Sequence, residues 1–287
     1  MTRPRTTGSA RRGAGRRPRR GLRLARLWPP VHDGRRRGRG AQRRATLGTR
    51  IGTGLVVAGL FWLAINWVYQ VVGKPTELFF PVSGALNKTP VETWRRYGPL
   101  FREYATPVMT PGLLAAIAQV ESAGNPIVRT YWRWSWTTQP FEMYRPASSA
   151  VGLYQMTDGT FAEARRFCIR HHGVVEAGFS PGGRTCAGNL YTRVLPGDAV
   201  ELTAAYLDHN VATTLARLRL GAVALPSRQR LAALIHLCGA AAGDDYARRG
   251  FRLLAGQRCG DHGVRAYLDQ VMRMKGEFDR LERLPPH

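Results

Sequence analysis

Apolar and polar positions alternate with distinct periods along the chain. Between Arg50 and Lys74 runs a 23-residue stretch without a charge, IGTGLVVAGLFWLAINWVYQVVG. A helix of that length is ~34 Å long, enough to cross a ~30 Å hydrocarbon core. Trp62, Trp67 and Tyr69 are side chains that settle toward a membrane interface. After a Pro- and Gly-punctuated connector (74–88) the spacing becomes that of amphipathic helices. Thr89-Pro90-Val91-Glu92 is a capping box with Pro at the first helical position, opening a helix to about Ala105. Thr110-Pro111 repeats the start signal. Leu113, Leu114, Ile117 and Val120 then form a buried stripe, and Gly124 supplies the stop. Asp198 with Glu201 opens the next helix, whose apolar face is Val200, Ala204, Leu207, Val211, Leu215 and Leu218, ending at Gly221. Further helices are expected at about 227–238, 245–255 and 264–283. Strand signal is sparse, and no internal repeat is visible. The pattern predicts a mainly α domain over 89–287 with a small β element.

That β element is the stretch 130–136, where Trp132, Trp134 and Trp136 alternate with polar residues and share one face. Three indoles in a row read equally as a small core or as a platform for sugar rings.

Charge assigns orientation. Of 43 Lys+Arg, 17 Arg lie in residues 1–50 against one acid, Asp33. So few apolar residues cannot offset the entropy of ordering such a segment, and 1–50 is expected to be a disordered basic tail. The positive-inside rule keeps it cytoplasmic and exports residues beyond 73. A cleaved signal peptide fits less well, because the apolar run is too long and its exit, Val-Val-Gly-Lys-Pro-Thr-Glu, lacks a small-residue cleavage site. Runs such as Arg35-Arg36-Arg37 also suit nucleic acid or anionic lipid. A span directly behind them favours a topogenic role, and no nucleic-acid partner is expected. All four cysteines lie on the exported side. Their spacings suit loops Cys168–Cys186 and Cys238–Cys259, although four cysteines allow three pairings. Zinc is the competing use, but no CxxC pair is present and His171-His172 is a weak cue. Disulfides are expected, with no metal and no cofactor.

One carboxylate is out of place. Glu121 lies four residues after Ile117 and seven after Leu114, on the apolar stripe and in the last helical turn. Burial and the negative end of the helix dipole both disfavour its charged form, so a raised pKa is expected, as a general acid requires. The plain alternative is a helix-end Glu turned to solvent.

Glu121-Ser122, followed by Gly152-Leu153-Tyr154-Gln155-Met156, resembles the lytic transglycosylases with a soluble-lytic-transglycosylase (lysozyme-like) catalytic domain. That family carries Glu-Ser and then Gly-Leu-Met-Gln-Ile. The resemblance spans roughly residues 90–257 and implies an α+β lysozyme-like fold. It departs from the family in two places. The gap from Glu121 to Gly152 is longer than expected, the excess being the Trp-rich element, which would border the glycan groove and make Trp134 and Trp136 sugar contacts. The family's Ala-Tyr-Asn-Ala-Gly motif is missing, with Ala233 to Gly239 in its place, so that His236 or Tyr206 would have to orient the glutamate. The resemblance implies that Glu121 protonates the bond between N-acetylmuramic acid and N-acetylglucosamine in peptidoglycan and then takes the C6 hydroxyl proton, giving a 1,6-anhydro product. Ser122 and residues 152–156 would hold the sugar, Tyr154 and Gln155 by polar contacts. If Glu142 faced Glu121, two carboxyls would make a hydrolytic muramidase instead. A wall-binding module without turnover is the third outcome. An anchored enzyme of this kind at a bacterial inner membrane would suit an envelope-spanning secretion or conjugation machine.

Overall fold

In the computed structural model, residues 38–79, 83–128, 130–180, 183–185 and 192–284 are described. The tail before Gly38 and Cys186 lie outside them. Two compact units are present, residues up to Gly59 and Leu60–His287. Helix α1 runs Gly38–Gly73, and within it Thr46–Gly73 is long and apolar enough to cross a membrane.

The second unit is mainly helical. Helices α2 (Pro90–Glu103) and α3 (Pro111–Ser122) begin where the start signals predict. Thr89 and Glu92 close both halves of the capping box, Thr89 N donating to Glu92 Oε2 at 2.8 Å. Thr110 makes no side-chain cap; its hydroxyl instead accepts from Gln229 Nε2 at 3.2 Å. Helix α3 is apolar around most of its circumference, with Leu113 to Ala118 fully buried, the pattern of a central core helix. It stops at Ala123, in a left-handed conformation (φ 49°), one residue earlier than the glycine signal implied. Helices α4 (Asp158–Ala164), α5 (Pro196–Arg217), α6 (Leu225–Cys238), α7 (Ala240–Arg248) and α8 (Val264–Arg283) complete the helical set of the described residues. Helix α7 starts five residues before the expected position, because Ala240 to Gly243 continue the helix directly after the Gly239 turn. Helix α8 lies along α3, with α2 and α6 also against it. Leu114, Ile117, Leu231, Leu234, Leu268 and Val271 are among the residues filling the core between them.

Among the described residues the strands form four antiparallel two-stranded hairpins. β1 (Trp132–Trp134) pairs with β2 (Tyr144–Pro146), Trp134 facing Tyr144. β3 (Phe167–Arg170) pairs with β4 (Gly173–Glu176) and packs on α5. β5 (Gly178–Ser180) pairs with β6 (Gly183–Thr185), and β7 (Arg258–Cys259) with β8 (His262–Gly263). Only β1 is marked by the sequence pattern, through the alternating tryptophans around it; the other strands carry no such marker.

The connector 74–88 holds two 3-10 turns, Pro75–Phe79 and Ser83–Leu86. Its start is not solvent-exposed: Lys74, Thr76 and Glu77 are buried, Lys74 Nζ 3.5 Å from Glu77 Oε1. Two charged residues of the connector thus form an internal ion pair.

Candidate active site

The site forms where the end of α3 meets α6, α8 and the turn 151–156. Glu121 occupies the last turn of α3, its side chain 18% exposed. Tyr267, one turn into α8, donates its hydroxyl to Glu121 Oε1 at 2.6 Å. Opposite, His236 near the end of α6 brings Nε2 to 3.4 Å from the same oxygen. His262 on β8 adds a further favourable charge interaction. Burial alone pushes the Glu121 carboxyl up. The His236 hydrogen bond and charge, the Tyr267 hydroxyl and the His262 charge together outweigh it, and the net shift is downward. The expected raised pKa is therefore corrected: the carboxylate is solvated by protein donors that the sequence pattern did not reveal. Burial and the adjoining carboxylate hold Tyr267 well above its ordinary value, so it remains a hydroxyl and a donor.

His236 was one of two candidates for orienting the glutamate, and the structure brings it to Glu121. Tyr206 does not reach it. Burial and the Glu163 carboxylate, which accepts a hydrogen bond from its hydroxyl, push Tyr206 up to about 12. The residue that sequence reading missed is Tyr267. Its signal was a tyrosine on the otherwise apolar stripe Val264, Leu268, Val271, where a buried hydroxyl needs a partner.

Ser122 and Tyr154, expected as sugar contacts, face inward, a second correction. The buried Ser122 hydroxyl lies 2.8 Å from both the Ala118 and Leu153 carbonyls, so it ties the end of α3 to the turn. Tyr154 is wholly buried beneath α3, where its hydroxyl donates to the Leu114 carbonyl at 3.2 Å. Leu153 is likewise core. The turn is shaped by backbone demands. Gly152 has φ 82°, and a Cβ there would collide with the Arg193 carbonyl. Gln155 also sits at positive φ (46°), its amide donating to the Gly152 carbonyl at 3.0 Å. Met156 is buried and paired with Val151 across the turn. Gln155 and Met156 with Thr157, Tyr206, His236 and Gly239 line a pocket of about 220 Å³. His236 thus belongs both to that pocket and to the Glu121 contacts.

The candidate second carboxyls are elsewhere. Glu142 faces Arg145 at 3.4 Å, and Asp158 pairs with Arg193 at 2.6 Å. Neither is among the hydrogen-bond or ion-pair partners of Glu121. Cys238 is bonded to Cys259, their Cα atoms 5.5 Å apart, which joins the end of α6 to the hairpin carrying His262. Cys168 is also disulfide-bonded, and its expected partner Cys186 lies outside the described residues. Among the described residues no cluster of His, Cys, Asp and Glu is arranged to hold a metal ion.

The three tryptophans do not present a single platform. Trp132 is half-buried and donates Nε1–H to Glu77 at 2.8 Å. Trp134 stacks on Trp62 of α1 and on Tyr144, with centroids 6.1 and 4.8 Å apart. Trp136 is 99% exposed. The chain matches no protein-family model and no curated protein sequence.

Proposed function

We propose that this chain is a membrane-anchored lytic transglycosylase of lysozyme-like fold that cleaves peptidoglycan, with Glu121 as its one acid/base group. The observation that carries the reading is a single, largely buried helix-end carboxyl. Tyr267 and His236 orient it, and Ser122 couples its helix to the glycine-shaped turn 152–156. A glutamate whose contacts include no second carboxyl suits a reaction in which one group gives and then reclaims a proton. Protonated Glu121 would donate to the glycosidic oxygen between N-acetylmuramic acid and N-acetylglucosamine. As the C6 hydroxyl oxygen bonds to C1, Glu121 would accept the hydroxyl proton, closing the 1,6-anhydro ring without water. Gln155 and the pocket beside His236 would hold the sugar. The hydrolytic alternative loses support because Glu142 is paired with Arg145. The apolar helix would anchor the enzyme in the inner membrane with the tail cytoplasmic and the domain periplasmic, next to wall that an envelope-spanning secretion or conjugation machine must open.

A second reading, a glycan-binding module without turnover, draws on the lowered pKa of Glu121, since an ionised carboxyl is a poor proton donor. Digestion of purified peptidoglycan by the full chain separates the readings. Muropeptides ending in 1,6-anhydro rings support the transglycosylase, reducing ends indicate a muramidase, and binding without release indicates the module.

A further inference from the structure

The β1–β2 hairpin is fastened to α1 along one line of the helix. Trp62, Asn66, Gln70 and Lys74 recur at four-residue spacing and so share a face. Each meets the hairpin segment. Trp62 stacks on Trp134. Asn66 Nδ2 donates to the Tyr144 carbonyl at 2.7 Å and Gln70 Nε2 to the Phe141 carbonyl at 2.6 Å. Lys74 Nζ reaches Thr130 Oγ1 and the Ser148 carbonyl at 3.0 and 3.1 Å. Most of the rest of this helical stretch is open, with Phe61, Trp67, Val68 and Val72 exposed, while the half-exposed Tyr69 stacks on Phe141, ring centroids 5.4 Å apart. Beside it stands Trp134, 64% exposed, with Trp136, 99% exposed, two residues on and the exposed Arg133 immediately before Trp134 in sequence.

This seam bears on where a bilayer can lie. Crossing a ~30 Å core takes ~20 residues, whereas the apolar helix Thr46–Gly73 has 28. A hairpin bearing Arg133, Glu142 and Arg145 alongside residues 62–74 is too polar for mid-membrane. The hydrocarbon span therefore ends near Ile65, with Arg50 one turn inside the other boundary, from where its long stem can reach the headgroups. The last turns of α1 and the hairpin then sit together at headgroup level.

We infer that the Trp-rich hairpin is a membrane-interface foot that seats Trp134 and Trp136 among phospholipid headgroups. It acts with the aromatic belt of Trp62, Trp67 and Tyr69 and sets how far the catalytic groove stands from the bilayer. An indole fully open to solvent is stable at that level, where its apolar body and N–H are both accommodated, and the neighbouring arginine suits anionic lipid. The inference rests on the membrane-anchor reading and is independent of the chemistry assigned to Glu121.

The test uses the full chain in phosphatidylcholine–phosphatidylglycerol vesicles, unmodified and as Trp136→Phe, each also with Glu121→Gln. Flotation reads anchoring. Tryptophan quenching by a headgroup-nitroxide lipid, and by a lipid brominated near the chain ends, reads depth. The expected result is co-flotation of all four proteins, quenching by the headgroup probe that falls measurably in Trp136→Phe, and no fall with the deep probe, whether or not Glu121 is present. Equal headgroup quenching with and without Trp136 overturns the inference. So does Trp136 emission that responds to soluble glycan fragments and not to lipid, which would restore the sugar-platform reading. Failure to float overturns the anchor and the foot together, leaving the Glu121 assignment to its own digestion assay.

Discussion

Glu121 is held by two donors, and each defines an experiment. Glu121→Gln keeps shape and hydrogen bonding but can neither give nor reclaim a proton. Peptidoglycan release should fall by at least the ~10²–10⁴-fold usual for lost acid–base assistance, with binding to sacculi retained. Equal release would remove Glu121 from the chemistry. The pH dependence follows from the direction of the shift. A lowered pKa leaves Glu121 ionised in the free protein at neutral pH, so the fraction able to donate grows as pH falls toward that pKa. The expected kcat/KM on sacculi rises on acidification from neutral, and a flat profile would contradict the acid role. For stability the sign is the same as for other depressed carboxyls: the contribution is present above the unfolded-state pKa and is lost as pH falls through the folded one. Tyr267→Phe removes a hydrogen bond to a charged group, worth ~1.5–3 kcal/mol, equivalent to about one to two pK units. The high-pH descent of kcat/KM should therefore move to higher pH. An unmoved limb would make Tyr267 a packing residue only. Glu121 was legible as a carboxylate on an apolar stripe because that stripe is local to one helix, and the motif resemblance then singled it out. It could not find Tyr267, which lies 146 residues away and reaches the carboxyl only through the packing of α8 on α3. Ser122 and Tyr154 were misplaced for a related reason: a motif gives the order of residues along a turn but not which of them face the interior.

At the level of elements, the helices were legible because start signals and apolar stripes are periodic over three or more turns. Apart from β1, marked by its alternating tryptophans, the strands were not, since pairs of two to four residues carry no period, and nothing local marks Lys74 and Glu77 for burial. The Cys238–Cys259 bond joins two such elements, α6 with His236 and the β7–β8 hairpin with His262. Closing a loop of 21 residues is worth about 3 kcal/mol. The Cys238→Ser/Cys259→Ser protein should melt several degrees lower and lose activity at temperatures where it remains folded, because the histidines flanking Glu121 are no longer tied. Full activity in the folded variant would confine the bond to stability. The seam along α1 has its own test. Asn66→Leu withdraws the donor from the Tyr144 carbonyl, a buried group whose loss of partner costs about 1–3 kcal/mol. Limited proteolysis should then cut within 134–142 faster than in the unmodified chain. An unchanged cutting rate would show that the seam does not hold the hairpin.

For the whole molecule, the proposed orientation rests on charge asymmetry: 17 Arg lie in residues 1–50, so a reporter fused after His287 should be active only outside the cytoplasm. Activity confined to the cytoplasm would reverse the orientation. The order of the chain has a further consequence in time. In the proposed orientation, export that starts at the anchor and proceeds toward the carboxyl end would deliver α3, with Glu121, well ahead of α8. Until Val264–Arg283 arrives and docks, Glu121 has no hydroxyl to hold it, and the core between α3 and α8 is open. Under the proposed function, a half-translocated chain would therefore be inert toward peptidoglycan, and cutting would begin only when export of the domain is finished.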